Sequence, residues 1–214
     1  MTVYNDQISK YIVDLFANQD AALLHTLADS PQRGLPPINI KPEEGRFLQF
    51  LVRACGVKKA VEIGTLGGYS GTWIARGLLP EGKLITLEKE PLHAMVAREH
   101  FKEAGIENMV EIRVGDAHTL LQALAQEGPF DFLFIDAEKN GYPAYLDWGL
   151  ENVRLGGLIA AHNAFRRGSI AGLAEKDDFT DVTQVFNRRA ANDPRLLSTI
   201  YPAGDGMLVA VKIA

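Results

Sequence analysis

Gly64, Gly67, Gly68 and Gly71 follow directly on the short apolar run Ala60 to Ile63 and lead into a helical pattern through Trp73, Ile74 and Leu78. Strand, glycine turn and helix is the arrangement by which open α/β sheets seat a nucleotide at the carboxyl ends of their strands. Glycine suits such a turn because the backbone must reverse sharply and lie against the ligand. Alone, the stretch is a weak signal, and an ordinary βα turn with flexible glycines is the alternative to a nucleotide seat. Three acids add to it: Glu62 at the exit of the first strand, Glu88 at the end of the next, and Asp116 after the third. A carboxylate at the second strand's end is placed to accept hydrogen bonds from a ribose diol, and Asp116 or its backbone to border an adenine. Each acid singly reads as a helix cap or a solvated loop residue. Three at successive strand ends point to a binding cleft.

The spacing selects among ligands. Dinucleotide binders use Gly-x-Gly-x-x-Gly, which brings a helix N-terminus to a pyrophosphate. Here Gly64-x-x-Gly67 replaces Gly-x-Gly, and Glu62 stands two residues before the first glycine. That carboxylate disfavours a diphosphate and suits a cationic ligand. S-adenosylmethionine carries an adenosine, a sulfonium and an ammonium, and no phosphate, so the pattern favours it over NAD.

The elements that must position these residues alternate along the chain. Strands are expected at Lys83 to Leu87, Met109 to Val114, Phe130 to Ile135 and Gly157 to Ala161. Helices are expected at Pro91 to Ala104, His118 to Gln126, Tyr142 to Asn152 and Asp177 to Ala191. Such alternation implies right-handed βαβ units and a mostly parallel sheet. Leu196 to Tyr201 and Met207 to Ile213 are strand-like runs only five residues apart, which predicts an antiparallel hairpin. Before the glycine turn, helices are predicted at 5–17, 20–29 and from Lys41 onward, with a proline-containing loop over Ser30 to Ile40. The expectation is one α/β domain over 1–214: a Rossmann-like, doubly wound, seven-stranded sheet with an antiparallel C-terminal hairpin. Residues 1–40 form a helical cap or extension, and 41–214 the core.

Composition bounds the rest. The chain has 214 residues, 47% hydrophobic and 23% charged, with a net charge of −5. That balance weighs against nucleic acid as a partner. No apolar stretch is long enough to span a membrane, and the start lacks a basic region followed by a long apolar run, so a cytoplasmic protein is expected. The single cysteine, Cys55, falls in an apolar helix pattern and reads as a buried structural thiol.

Val61-Glu-Ile-Gly-Thr-Leu-Gly-Gly-Tyr-Ser70, Gly115-Asp-Ala117 and Phe134-Ile-Asp-Ala-Glu-Lys139 together resemble the class I, cation-dependent O-methyltransferases, the family of caffeoyl-CoA and catechol O-methyltransferases and their small bacterial relatives. The resemblance covers roughly residues 40 to 214. It implies that Glu62, Gly64, Thr65, Gly68, Ser70, Glu88, Asp116 and Ala117 line the S-adenosylmethionine site. It adds Asp136 and Glu138, an aspartate being commoner at the latter position. It implies a divalent cation (Mg²⁺, Mn²⁺, Zn²⁺ or Co²⁺) on Asp136, His162 and Asn163, and a general-base role for Lys139. It further implies a small phenolic acceptor and a homodimer. In a sheet of this order the strands ending at Asp136 and His162 are neighbours, about 4.8 Å apart.

One position departs from the family pattern: His162 stands where a second aspartate is expected. Exchanging a carboxylate for an imidazole removes a negative charge and shifts preference from Mg²⁺ or Ca²⁺ toward ions that accept nitrogen. His162 is then a ligand in a retuned site, a base or substrate donor in a metal-free one, or structural. Two other functions remain open: methylation of a hydroxylated uridine in tRNA, for which Arg166, Arg167, Arg188 and Arg189 leave room, and a non-catalytic cofactor-binding protein. His25, His93, His100 and His118 read as surface or capping residues. Tyr145 and Trp148 read as packing.

Overall fold

The computed structural model describes residues 4–214; the first residues of the expected N-terminal cap, 1–3, lie outside them. Seven strands form one sheet: β1 (Lys59–Ile63), β2 (Lys83–Glu88), β3 (Val110–Val114), β4 (Phe130–Ile135), β5 (Val153–Ala161), β6 (Leu196–Tyr201) and β7 (Met207–Lys212). Their order is β3-β2-β1-β4-β5-β7-β6. The first five run parallel, while β7 is antiparallel to both β5 and β6. This is the doubly wound sheet with a terminal hairpin that the element order predicts.

Strand alternation divides the core between the two faces. Val61, Ile63, Ile85, Leu87, Leu133 and Ile135 point to one face. There they meet α6 (Ala117–Leu124), α7 (Tyr142–Asn152) and α8 (Thr180–Asn192). Ala60, Leu84, Phe132 and Phe134 point the other way, onto α2 (Ala21–Gln32), α3 (Pro42–Ala54), α4 (Tyr69–Gly77) and α5 (Pro91–Glu103). Helix α1 (Asp6–Phe16) buries none of its residues. Asn5 caps it, accepting from the backbone of Gln7 and Ile8.

Three boundaries differ from the sequence expectation by three residues or more, each for a local reason. Helix α2 continues through Pro31 to Gln32 instead of ending at Asp29. Ser30 is fully buried, its hydroxyl donates to the Thr26 carbonyl at 2.7 Å, and it packs on Gly67, so tertiary contact holds the last turn despite the proline. Strand β5 begins at Val153, not Gly157, because an irregularity absorbs extra residues: Phe130 pairs with Val153 but Phe132 with Leu158. Gly156, at φ +74°, supplies the bend. Helix α8 begins at Thr180 because Asp177 forms a turn before it, accepting from the Phe179 N–H and the Thr180 hydroxyl. Cys55 is the C-cap of α3 and only half-buried.

Candidate active site

The carboxyl ends of β1, β2, β4 and β5 open into one cavity of about 1000 Å³. Its floor is the glycine turn. Gly64 has φ +96°, and a Cβ there would lie 2.2 Å from the Asp136 carbonyl oxygen, so only glycine lets the exits of β1 and β4 close on each other. Gly68, at φ +85°, is the N-cap of α4. It packs on Phe101 and does not face the cavity. Gly67 is anchored from outside: His100 Nδ1 lies 2.8 Å from its carbonyl oxygen and Nε2 lies 3.1 Å from Asp29. His100 is therefore a buried brace between α2, α5 and the turn, not the surface residue expected.

Glu88 ties the turn to β2. Its Oε2 accepts from the backbone N–H groups of Thr65 (3.1 Å) and Leu66 (2.8 Å), and Oε1 accepts from that of Glu90. Asp116 caps α6, accepting from the Thr119 N–H, and also lines the cavity. So the two readings weighed for it, cap and cleft residue, coincide. Ala117, Glu138, Thr65 and Ser70 line the same space. Glu138 accepts from the Tyr145 hydroxyl, and His118 stacks on the Tyr145 ring.

Glu62 departs from the expectation. It is fully buried behind the turn, accepting from the hydroxyls of Ser70 (2.6 Å) and Thr86 (2.7 Å), and it does not line the cavity. Burial raises its pKa, the two hydroxyls oppose the rise less strongly, and the carboxyl reaches about 8. At neutral pH it is an uncharged hydrogen-bonding hub rather than a charge facing the ligand. A carboxyl raised from 4.5 to about 8 on folding stabilises the fold fully below pH 4.5, and that contribution is lost as pH climbs through about 8. Glu62→Gln keeps the shape without titrating. The free energy of urea unfolding of the variant relative to the native protein is expected to rise between pH 5 and 8. A difference independent of pH would show that Glu62 does not titrate in this way.

At the other end, β4 and β5 bring Asp136, Lys139 and His162 together. Asp136 Oδ1 is 3.3 Å from Lys139 Nζ, and Oδ2 is 3.2 Å from His162 Nδ1. The other imidazole nitrogen lies 3.0 Å from Glu44 Oε1, on α3. Glu44 is 1% exposed, and its second oxygen accepts the Lys41 N–H at 2.7 Å. A Cβ at Gly204 would lie 2.4 Å from this carboxylate, so the hairpin loop leaves room for it. Glu44 is the site residue that sequence reading missed. Burial lowers the pKa of His162, but Asp136 and then Glu44 outweigh it and push the imidazole up to about 10. Burial would raise Asp136; His162 and Lys139 outweigh that and hold it at about 2. Lys139 is lowered, burial being the main cause and Asp136 opposing it. Its ammonium has three acceptors: Asp136, the Ala137 carbonyl (3.2 Å) and the Tyr142 hydroxyl (2.5 Å).

The expected cation does not fit this donor set. Both oxygens of Asp136 face cationic side chains, and both nitrogens of His162 face carboxylates. The Asn163 amide is turned to Asp205 Oδ2 at 3.0 Å. Among the described residues no three His, Cys, Asp or Glu side chains converge as a metal site. An adenosyl ligand does fit: the cavity runs past Glu88, Asp116 and Ala117, with the close Gly64–Asp136 approach as its floor.

Fold and cavity together define an enzyme of the Rossmann-like transferase type, with its ligand at the carboxyl ends of a doubly wound sheet. The sequence pattern of the O-methyltransferase family matches residues 16–213, and the chain belongs to that family. It is 38% identical to the catechol O-methyltransferase of Niastella koreensis over 96% of both chains. It is also 38% identical to the catechol O-methyltransferase of Mycobacterium tuberculosis, over 95% of this chain and 94% of that one. Among solved structures, the O-methyltransferase from Bacillus cereus in complex with SAH superposes with a TM-score of 0.89 at 36% identity, covering 96% of this chain and 97% of that one. TomG of Streptomyces achromogenes in complex with SAM superposes with a TM-score of 0.87 at 30% identity, covering 97% and 96%.

Proposed function

We propose that this chain is an S-adenosylmethionine-dependent O-methyltransferase acting on a hydroxyl of a small phenol of the catechol type. The observation that carries this reading is the juxtaposition of Lys139, Asp136 and His162 beside an adenosyl-sized space in one cavity. The names of the catechol O-methyltransferases it resembles support the acceptor class. Glu88, Asp116, Ala117 and Glu138 would hold the adenosyl part, and Gly64, Thr65 and Ser70 the part nearer the turn. When bound, S-adenosylmethionine supplies an electrophilic methyl group on a sulfonium.

The chain's residues then have separate tasks. Lys139 takes the proton of the acceptor hydroxyl at Nζ, which burial makes more acidic than an ordinary lysine. Asp136 holds Nζ in place. His162, between Glu44 and Asp136, supplies a fixed positive charge where the resemblance expects a cation, and no step is assigned to a metal. Rate comes mainly from holding oxygen and methyl in a near-attack arrangement. A single domain over 1–214 is consistent with the bonds from Tyr69 to Gln19 and from His162 to Glu44, which join the first helices to the sheet. The exposed apolar side chains of α1, Tyr11 (61%) and Phe16 (63%), support the homodimer. A cytoplasmic location is compatible with the absence, among the described residues, of any helix long and apolar enough to cross a membrane.

The test is product analysis with S-adenosylmethionine and a panel of phenols. Formation of a methyl ether with an equal amount of S-adenosylhomocysteine is expected. Tight cofactor binding without turnover of any phenol would refute the reading.

A further inference from the structure

Lys139 enters the cavity from a single 3-10 turn, Lys139–Gly141, on a flexible four-carbon stem. Such a stem places Nζ only if something holds its end. Three acceptors surround the ammonium, and they are unequal. Asp136 Oδ1 and the Ala137 carbonyl lie at 3.3 and 3.2 Å, whereas the Tyr142 hydroxyl lies at 2.5 Å. Tyr142 is the first residue of α7 and 1% exposed. Its ring packs edge-on against Phe186 of α8, with the ring centres 5.2 Å apart. Packing thus fixes the oxygen that makes the shortest contact to the amine.

A buried tyrosine hydroxyl commonly finds a partner simply because it is buried. This one also reaches the Ile135 carbonyl (3.3 Å) and the His162 carbonyl (3.2 Å), at the ends of β4 and β5. The strands do not need that tie. The His162 N–H already donates to the Ile135 carbonyl at 3.0 Å, and the Asp136 N–H to the Ile63 carbonyl at 2.9 Å. The two carbonyls have another consequence: they only accept, so they take the single phenolic proton. Burial, with Asp136 adding to it, pushes the phenol well above its ordinary value, so that proton stays in place. Toward Lys139 the oxygen is left as an acceptor, oriented by β4 and β5 together. The same strand ends lead into Asp136 and His162, so one hydroxyl registers the amine against both.

We propose that Tyr142 is a positioning residue for the reaction: its hydroxyl holds Lys139 Nζ where the acceptor oxygen is met, and takes no proton itself. This rests on the reading of Lys139 as the base of an O-methyltransferase. A misplacement of about 1 Å at a reacting group costs on the order of 10²-fold in rate, so losing this anchor should appear in kcat and not in binding.

The experiment is a double-mutant cycle on methyl ether formation from a catechol at saturating S-adenosylmethionine: native protein, Tyr142→Phe, Lys139→Met and the two combined. Phenylalanine keeps the ring against Phe186 and removes only the hydroxyl. Tyr142→Phe is expected to lower kcat roughly 10- to 100-fold, the effect of one hydrogen bond to a charged group, with acceptor KM and S-adenosylhomocysteine affinity within about twofold. In the Lys139→Met background the same change should cost less than about twofold, because the two residues act as a unit. A second readout does not depend on turnover. In protein labelled with ¹³C at lysine Cε, the Lys139 signal is assigned by its loss in Lys139→Met. It should show two inequivalent ε-protons in the native protein and one averaged pair in Tyr142→Phe. An undiminished kcat in Tyr142→Phe, an equal fold-loss in both backgrounds, or an ε-methylene unchanged by the substitution would overturn the positioning role and leave the O-methyltransferase reading standing. No methyl ether from the native protein would overturn both.

Discussion

Replacing Lys139 by methionine is expected to lower kcat by about 10²–10⁴-fold, the range that a positioned general base contributes. Cofactor affinity should change little, because among the described residues the Lys139 ammonium bonds to Asp136, Ala137 and Tyr142 alone, away from Glu88 and Asp116. The acceptor hydroxyl must lose its proton to become a nucleophile. Lys139 is the buried basic group on the cavity wall whose pKa is lowered, burial being the principal cause. In the geometry seen here the ammonium is satisfied by three acceptors, so the neutral amine forms only as pH rises. kcat/KM should therefore rise with pH and level off below the ordinary lysine value of 10.5. Lys139→Arg separates two roles. Arginine keeps the positive charge but does not release a proton. If Lys139 is the base, arginine is as damaging as methionine. Substantial activity in Lys139→Arg would instead mean that the charge alone matters.

The second large effect is on stability. His162→Ala should destabilise the protein by about 3–5 kcal/mol, since it leaves a buried carboxylate without its partner. At about 2–4 °C per kcal/mol for a chain of this length, the melting temperature should drop by roughly 6–20 °C. Glu44 is 1% exposed and meets His162 at 3.0 Å, while Asp136 loses its nearer cation. The pH dependence has a definite sign. The imidazole rises from 6.5 to about 10 on folding, so its contribution is complete below pH 6.5 and is lost as pH climbs through about 10. The deficit of His162→Ala should thus be largest below pH 6.5 and shrink as pH climbs toward about 10. Glu44→Gln/His162→Ala should recover part of the loss, because it removes the orphaned charge. Equal melting temperatures for His162→Ala and the native protein at pH 7 would show that the Glu44–His162–Asp136 cluster is not an internal ion pair.

Much of this arrangement was legible in the sequence because it follows from local rules. The five-residue spacing between the last two apolar runs forces the hairpin, and β6 and β7 pair as expected. Alternating apolar patterns give the parallel strands, and parallel neighbours β4 and β5 bring Asp136 and His162 into contact. What escaped depends on contacts far apart along the chain. Glu44 lies 118 residues from His162, and as an acid in the first turn of α3 it looks like a helix-dipole residue. Only the fold turns it inward. Glu62 sits next to a glycine turn and reads as a charge for the ligand. Its side chain instead points behind the turn, because alternation on β1 sends Ile63 one way and Glu62 the other. His100 carries no local sign of its bond to Gly67, which α5 makes across a gap of 33 residues. The same holds for the metal expectation. Three residue types in register suggest ligands, but whether their lone pairs are free is set by Glu44, Lys139 and Asp205, which no spacing rule connects to them.

The central claim is methyl transfer by Lys139 beside a fixed internal cation, and turnover under exhaustive chelation tests it most directly. The rate of methyl ether formation from a catechol is measured in protein stripped of divalent ions, then with Mg²⁺, Mn²⁺, Zn²⁺ or Co²⁺ restored. The account predicts a rate that survives chelation, is not raised substantially by any of the four ions, and collapses in Lys139→Met. A rate abolished by the chelator and recovered on adding back one ion would contradict it, and would return Asp136, His162 and Asn163 to the role of ligands.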